Sequence, residues 1–208
     1  MAQSRLELKT FALGDLGNNA YLIFDKADQE AFLIDAPKPS LEIKRFLHKH
    51  GLKLKFILLT HGHFDHIAGL DGFEAPFFIH PRDEEFLNDP RINASLFCGE
   101  PFVVKEKPQL FDNSMRLNFG QNTIEIILTP GHTPGSVCYK VNGWLFSGDT
   151  LFYHSVGRTD IPLASFDDII ASIKNKLLIL DPGTEVYPGH GSPTTIGEEE
   201  KNNSFLQE

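Results

Sequence analysis

Hydrophobic and polar positions divide this chain into many short strand-like runs and a few helices. RLELKTFAL (5–13) alternates polar and apolar residues, and NAYLIFD (19–25) and AFLIDAP (31–37) are more continuously apolar. Turn-rich GDLGN separates the first two, so the three runs predict a meander. Ser40 is placed to cap a helix carrying Ile43, Phe46, Leu47 and His50 on one face, with Gly51 as its stop. KFILLT (55–60) is short and apolar, the pattern of a strand covered on both faces.

PFFIH (76–80) predicts another strand, and Pro81 with Asp83, Glu84 and Glu85 suits the first turn of a short helix. Residues 89–115 read as irregular, with PFVV their one apolar stretch. NTIEIILTP, SVCYKV and WLFSGD are three further strand-like runs, divided by PGHTPG and by a hairpin signal at Asn142–Gly143. Ser165 and Asp168 form a capping pair for a second helix with the stripe Phe166, Ile169, Ile170, Ile173 and Leu177. EVYPGHG ends a last strand, and Thr195 with Glu198 caps the C-terminal segment. Meander plus helix, repeated, predicts two similar halves of layered sheets covered by helices, without a linker and in one compact domain.

Composition changes this picture only at the margins. At 208 residues the chain is long enough for a sizeable core. The net charge of −9 argues against a nucleic-acid groove or an anionic membrane as partner. No uninterrupted apolar 18-mer occurs, and MAQSRLELKT lacks the layout of a signal peptide. Cys98 and Cys138 lie too far apart in sequence to suggest a disulfide framework, so two free thiols and a cytoplasmic location are expected.

The chemistry concentrates where strands end. His61 follows FILLT, within THGHFDHIAG; His132 follows IEIILTPG, Asp149 follows WLFSG, and His190 follows EVYPG. In an extended segment, His61 and His63 point the same way, and a turn after them lets Asp65 and His66 face a neighbouring point. Imidazole nitrogens and carboxylate oxygens are zinc ligands at about 2.0–2.2 Å. Five histidines and two aspartates suffice for two ions sharing one carboxylate, with a water position left open. His48 and His50 read as surface groups at a helix end, and His80 as structural although it too ends a strand. His154, five residues beyond Asp149, is a candidate substrate or supporting contact.

THGHFDHIAG, PGHTPGS, FSGDTLF, GRTD and YPGHGSPTTIGEE together resemble the metallo-β-lactamase-fold hydrolases, nearest to single-domain bacterial relatives of glyoxalase II (hydroxyacylglutathione hydrolase). The resemblance covers residues 10–206 and implies an α+β fold, a four-layer αββα sandwich in one domain. It further implies one ion on His61, His63 and His132 and a second on Asp65, His66 and His190. Asp149 bridges them, as does a hydroxide. Two divalent ions are therefore expected, zinc first, with iron or manganese as alternatives. No counterpart of the C-terminal helical domain of two-domain glyoxalase II proteins is expected. A tyrosine near glutathione in those enzymes is Ser192, a lysine is Arg158, and a second tyrosine is Asp160.

The expected reaction is hydrolysis of a thioester of the S-2-hydroxyacylglutathione kind by the metal-bridging hydroxide, with Asp65 orienting it and accepting its proton. Arg158 is expected to attract an anionic substrate tail. The expected partner is a small, anionic thioester, and the protein a monomer or homodimer. Two alternatives stand beside this reading: a mononuclear-iron persulfide dioxygenase, and a lactonase or other ester hydrolase on the same scaffold, phosphodiesterases and nucleases included.

Overall fold

The computed structural model describes residues 6–111 and 116–207. Arg5, in the first predicted strand, and residues 112–115, at the end of the predicted irregular stretch, lie outside them. The chain divides into two compact units, Met1–Ile79 with Glu84–Leu110, and His80–Asp83 with Phe111–Glu208. Each is built round one six-stranded sheet, in keeping with the expected α+β class.

In the first unit the strands lie in sequence order: β1 (Leu6–Leu13), β2 (Asn18–Asp25), β3 (Glu30–Ile34), β4 (Lys53–Leu58), β5 (Phe77–Ile79) and β6 (Gln109–Leu110). β1 to β3 form the antiparallel meander that the alternation predicts. From β3 onward the pairing is parallel. A parallel neighbour requires a crossover, which α1 (Leu41–His50) supplies between β3 and β4. Ile43 and Leu47 bury that helix against Leu22, Phe24, Leu33 and Ile57. Phe46 sets its ring against Phe11 and Phe24, with centroids 5.8 and 5.6 Å away. A single helical turn, α2 (Phe64–Ile67), follows β4.

Four local expectations change. Gly51, at φ 62, ends α1 by donating to the carbonyls of Leu47 and His48, as predicted, but Ser40 makes no side-chain cap. Its backbone, at φ −77 and ψ −4, is already helical, whereas a capping hydroxyl needs extended geometry to reach the free N–H groups. β4 is buried only at Ile57 and Leu58, the end nearest the histidines. The segment after Pro81 is a 3₁₀ helix, Pro81–Leu87, and a short 3₁₀ turn, Ser95–Cys98, interrupts the stretch expected to be irregular.

The second unit has β7 (Arg116–Phe119), β8 (Asn122–Leu128), β9 (Val137–Val141), β10 (Trp144–Gly148), β13 (Glu185–Pro188) and β14 (Thr194–Thr195) in one sheet, ordered β14-β13-β10-β9-β8-β7. β7 is a strand that the hydrophobic pattern misses, since only Phe119 in it is buried. β11 (Leu151–Phe152) and β12 (Ser155–Val156) make a separate small hairpin. Asn142 takes φ 56 in the turn predicted between β9 and β10. α3 (Phe166–Ser172) continues as a π-helical turn, Ile173–Leu177, and α4 (Ile196–Asn202) follows β14.

Both predicted caps of this unit form: Ser165 accepts from the Asp168 N–H, and Thr195 from the Glu198 N–H. Ile169, Ile173 and Leu177 are buried with Cys138, Leu145 and Val186, each such side chain contributing about 1.5–3 kcal/mol. Phe166 departs from the predicted stripe and is 48% exposed. It is the first residue of α3, beside its cap.

The two serines differ in role, and stability separates them. Ser165→Ala is expected to cost about 1 kcal/mol, the loss of a working cap. Ser40→Ala should stay within about 0.5 kcal/mol, the scale of ordinary surface changes. Urea midpoints at unchanged m-value check both.

Candidate metal centre

Strand direction places the polar residues. In the first unit β3 and β4 run parallel with Ile34 opposite Leu58, so both leave the sheet at the same edge. Asp35 follows the first and Thr60–His61 the second. Asp35 accepts the Thr60 N–H at 2.8 Å on one oxygen and the Thr60 hydroxyl at 2.8 Å on the other. The second oxygen also holds His66 Nδ1 at 2.8 Å. Asp35 is buried at φ 58, a backbone conformation uncommon for a residue with a side chain and found where function requires it.

The THGHFDHIAG segment then folds on itself. His63 stays extended at φ −70 and ψ 147, and α2 begins immediately after it. The ring centroid of His61 lies 4.9 Å from that of His63 and 4.1 Å from that of His66, while Asp65 Oδ2 is 3.9 Å from His66 Nε2. The Ala36 N–H donates to the His66 carbonyl, and the Gly69 N–H to the Ala36 carbonyl, each at 2.7 Å. Gly69 is required by this contact, because a Cβ there would collide with the Pro37 carbonyl.

In the second unit β8 is antiparallel to β9, β9 to β10, and β10 is parallel to β13. β8, β10 and β13 therefore run the same way, and His132, Asp149 and His190 all lie beyond their carboxyl ends. The Gly189 N–H donates to the Gly148 carbonyl at 2.8 Å, locking the last two exits side by side. His132 Nε2 and His190 Nε2 stand 3.5 and 3.6 Å from the same oxygen, Asp149 Oδ2.

Both sets fit a divalent ion. Separations of about 3.5 Å are long for hydrogen bonds but suit nitrogen and oxygen donors that each lie about 2 Å from a shared cation. The second nitrogen of three imidazoles is held: His61 Nδ1 by Thr60 Oγ1 at 3.0 Å, His66 Nδ1 by Asp35, and His132 Nδ1 by the Arg158 carbonyl at 2.9 Å. That anchoring fixes ring orientation and assigns Nε2 as the ligand atom, as in metal-binding histidines generally. Groups of His and Asp suited to a divalent ion occur among the described residues, all drawn from these seven positions.

The remaining candidates have other occupations. His48 and His50 are exposed at the end of α1, as expected. His80 is buried, accepts the Arg82 N–H on Nδ1 and packs on Phe111, which bears out a structural role. His154 Nε2 lies 2.7 Å from Glu198 Oε1 and its ring stacks on Tyr153. Arg158 forks onto Asp160 with bonds of 2.8 and 2.9 Å, which holds the Asp160 carboxyl below its usual range. Ser192 is exposed between β13 and β14. Both cysteines are free; burial pushes the Cys138 thiol up to about 11, which keeps it inert.

Asp35 and Asp83 are buried acids beside these ligand positions that the sequence pattern does not single out. Asp35 carried the same signal as Asp149, an acid directly after an apolar strand. Asp83 looked like a helix-terminus charge. Instead it accepts the Thr133 hydroxyl and the Gly135 N–H, both at 2.6 Å, and so braces the loop that carries His132.

The family model described as the metallo-beta-lactamase superfamily matches residues 13–190. Hydroxyacylglutathione hydrolase GloC of Haemophilus influenzae is 33% identical, over 90% of this chain and 92% of that protein. Among solved structures, BLEG-1 B3 metallo-beta-lactamase is 38% identical with a TM-score of 0.92, covering 97% of this chain and all of that one. TTHA1623, in a di-iron-bound form, is 35% identical with a TM-score of 0.84, over 95% of this chain and all of that one.

Asp35→Asn keeps the volume but removes one of the acceptor positions used by Thr60 and His66. Divalent-metal affinity should fall roughly 10- to 100-fold, the usual effect of losing a partner that orients a ligand. Competition against a chromogenic chelator measures it.

Proposed function

Because the chain belongs to the metallo-beta-lactamase superfamily, and its strand exits carry two sets of His and Asp donors, we propose that it is a binuclear-metal hydrolase of thioesters, of the hydroxyacylglutathione hydrolase type. The observation that carries this reading is the pair of imidazoles aimed at one carboxylate oxygen of Asp149. A carboxylate approached in this way serves a shared cation better than a hydrogen bond. The likeness to GloC supports the substrate class. A small-molecule substrate, a cytoplasmic location in keeping with two free thiols, and no nucleic-acid or membrane partner belong to the same proposal. Among the described residues no helix is long and apolar enough to cross a membrane.

In this proposal His61, His63 and His132 would hold one ion, Asp65, His66 and His190 the other, and Asp149 would serve both. Zinc suits this nitrogen-rich donor set, and iron or manganese would be accepted by the same atoms. When bound, such ions supply an activated water and a Lewis acid for a carbonyl. Asp65 orients the attacking water and accepts its proton. Asp35 and the Arg158 carbonyl keep His66 and His132 in register. A thiolate leaves without prior protonation, so no further general acid is required of the chain. The Arg158 side chain remains a candidate contact for an anionic tail, but its fork already serves Asp160.

A second reading, opening of a cyclic ester or lactam, is favoured by the likeness to BLEG-1. Elemental analysis followed by assays on S-lactoylglutathione, a CoA thioester, a lactone and a β-lactam separates the two. Thioester turnover at least tenfold above the ring substrates is expected; the reverse order would install the second reading.

Two substitutions probe the mechanism. Asp149→Ala should lose metal and activity together, with kcat/KM down by at least about 10²-fold, the scale of losing one electrostatic stabiliser. Two ions per chain retained in the purified variant would contradict the bridging role. Asp65→Asn should depress kcat more than metal content, and an unchanged kcat would remove Asp65 from proton transfer.

A further inference from the structure

A cavity of about 570 Å³ lies wholly within the first unit. Leu13 at the end of β1, Leu16 of the β1–β2 connection, Phe64 of α2 and Phe102 give it apolar walls, and Asp65 stands on the same lining. Its size is that of a small-molecule site. A lactoyl group has five heavy atoms and fills roughly 150 Å³ at most, taking about 30 Å³ for each water-sized atom. Most of the cavity would remain empty with so small an acyl group.

The lining also contains an unsatisfied donor. Asn18 is 1% exposed, and its side-chain Nδ2 has no hydrogen-bond partner. A buried amide left in that state costs about 1–3 kcal/mol, and a turn of the side chain toward the cavity would let an entering oxygen relieve it. Charge on the lining restricts what carries that oxygen. Lys38 is exposed, with its ammonium over the Phe102 ring at 5.2 Å, and offers one positive charge. Asp15 and Glu100 share the lining and disfavour a polyanion.

We propose that this cavity is the acyl-binding subsite of the enzyme. It takes an apolar acyl chain or aryl-alkyl group larger than lactoyl, with an oxygen received by Asn18 and at most one negative charge. The proposal rests on the hydrolase reading for its place beside Asp65. It shifts substrate selection from the thiol end, where Arg158 was expected to act, to the acyl end.

Binding to the metal-loaded protein tests it, with propanoate and 4-phenylbutanoate as probes in calorimetry. The shared carboxylate makes any affinity of that group for the ions common to both probes. Wild type should bind 4-phenylbutanoate at least tenfold more tightly than propanoate. Leu16→Glu, at a rim position 55% exposed and therefore safe for folding, should abolish that preference. Asn18→Ala should weaken both probes by about 3- to 10-fold, the worth of one hydrogen bond. Equal wild-type affinities, or a preference that survives Leu16→Glu, would overturn the subsite.

Turnover of lactoyl- and 4-phenylbutanoyl-glutathione separates this proposal from the one beneath it. A Leu16-dependent preference in binding with no thioester cleaved would sink the thioesterase and leave the subsite standing. Cleavage of both thioesters with equal KM would sink the subsite and leave the thioesterase.

Discussion

Strands that run the same way are the constraint on which the chemistry rests. A codirectional set delivers every carboxyl end to one edge of its sheet, where loops are free to carry polar groups, and ligand sites of α/β sheets gather there. In the first unit, parallel β3 and β4 bring Asp35, Thr60 and the histidine segment together from positions 25 or more apart in sequence. In the second, β8, β10 and β13 share a direction although β9 runs against them. Reversing any one strand would carry its His or Asp to the opposite edge.

Bringing imidazoles and carboxylates to a buried edge is costly unless each polar atom is satisfied. The structure meets this with a second layer of groups that never need touch an ion. Asp35 satisfies two Thr60 donors and one His66 nitrogen at once. Asp83 braces Thr133 and Gly135, and the Arg158 carbonyl holds His132. Beneath these, Leu33 and Ile57 in one unit and Leu145 and Val186 in the other are fully buried. They are close neighbours in sequence of the polar exits, so the same short strands provide both the apolar anchor and the reactive tip.

This division explains what the sequence discloses. The strand exits carrying His61, His132, Asp149 and His190 were legible because a buried strand has a clear apolar signature and histidine stands out after it. Ser165 and Thr195 were legible because capping is local. Asp35 and Asp83 were not, since an acid is ordinary in composition and its importance lies in partners 25 and 50 residues away. β7 hid for lack of apolar residues, and Ser40 misled because its residue type suits a cap while its backbone does not.

Arg158 serves the chain through both its side chain and its backbone. A basic residue at that position is expected to attract an anion; within the chain its side chain, 65% exposed, forks onto Asp160, and an exposed pair of this kind contributes little. What the metal centre draws from residue 158 is its backbone carbonyl, which any amino acid would supply. With the fork engaged locally and a net charge of −9, long-range attraction is a weak basis for selecting an anionic ligand. Shape and unsatisfied hydrogen-bond donors are the stronger basis, because a polar group deprived of its partner discriminates more sharply than added apolar area. In the first unit Asn18 shares a cavity lining with Leu13, Leu16, Phe64 and Phe102, and its Nδ2 has no hydrogen-bond partner.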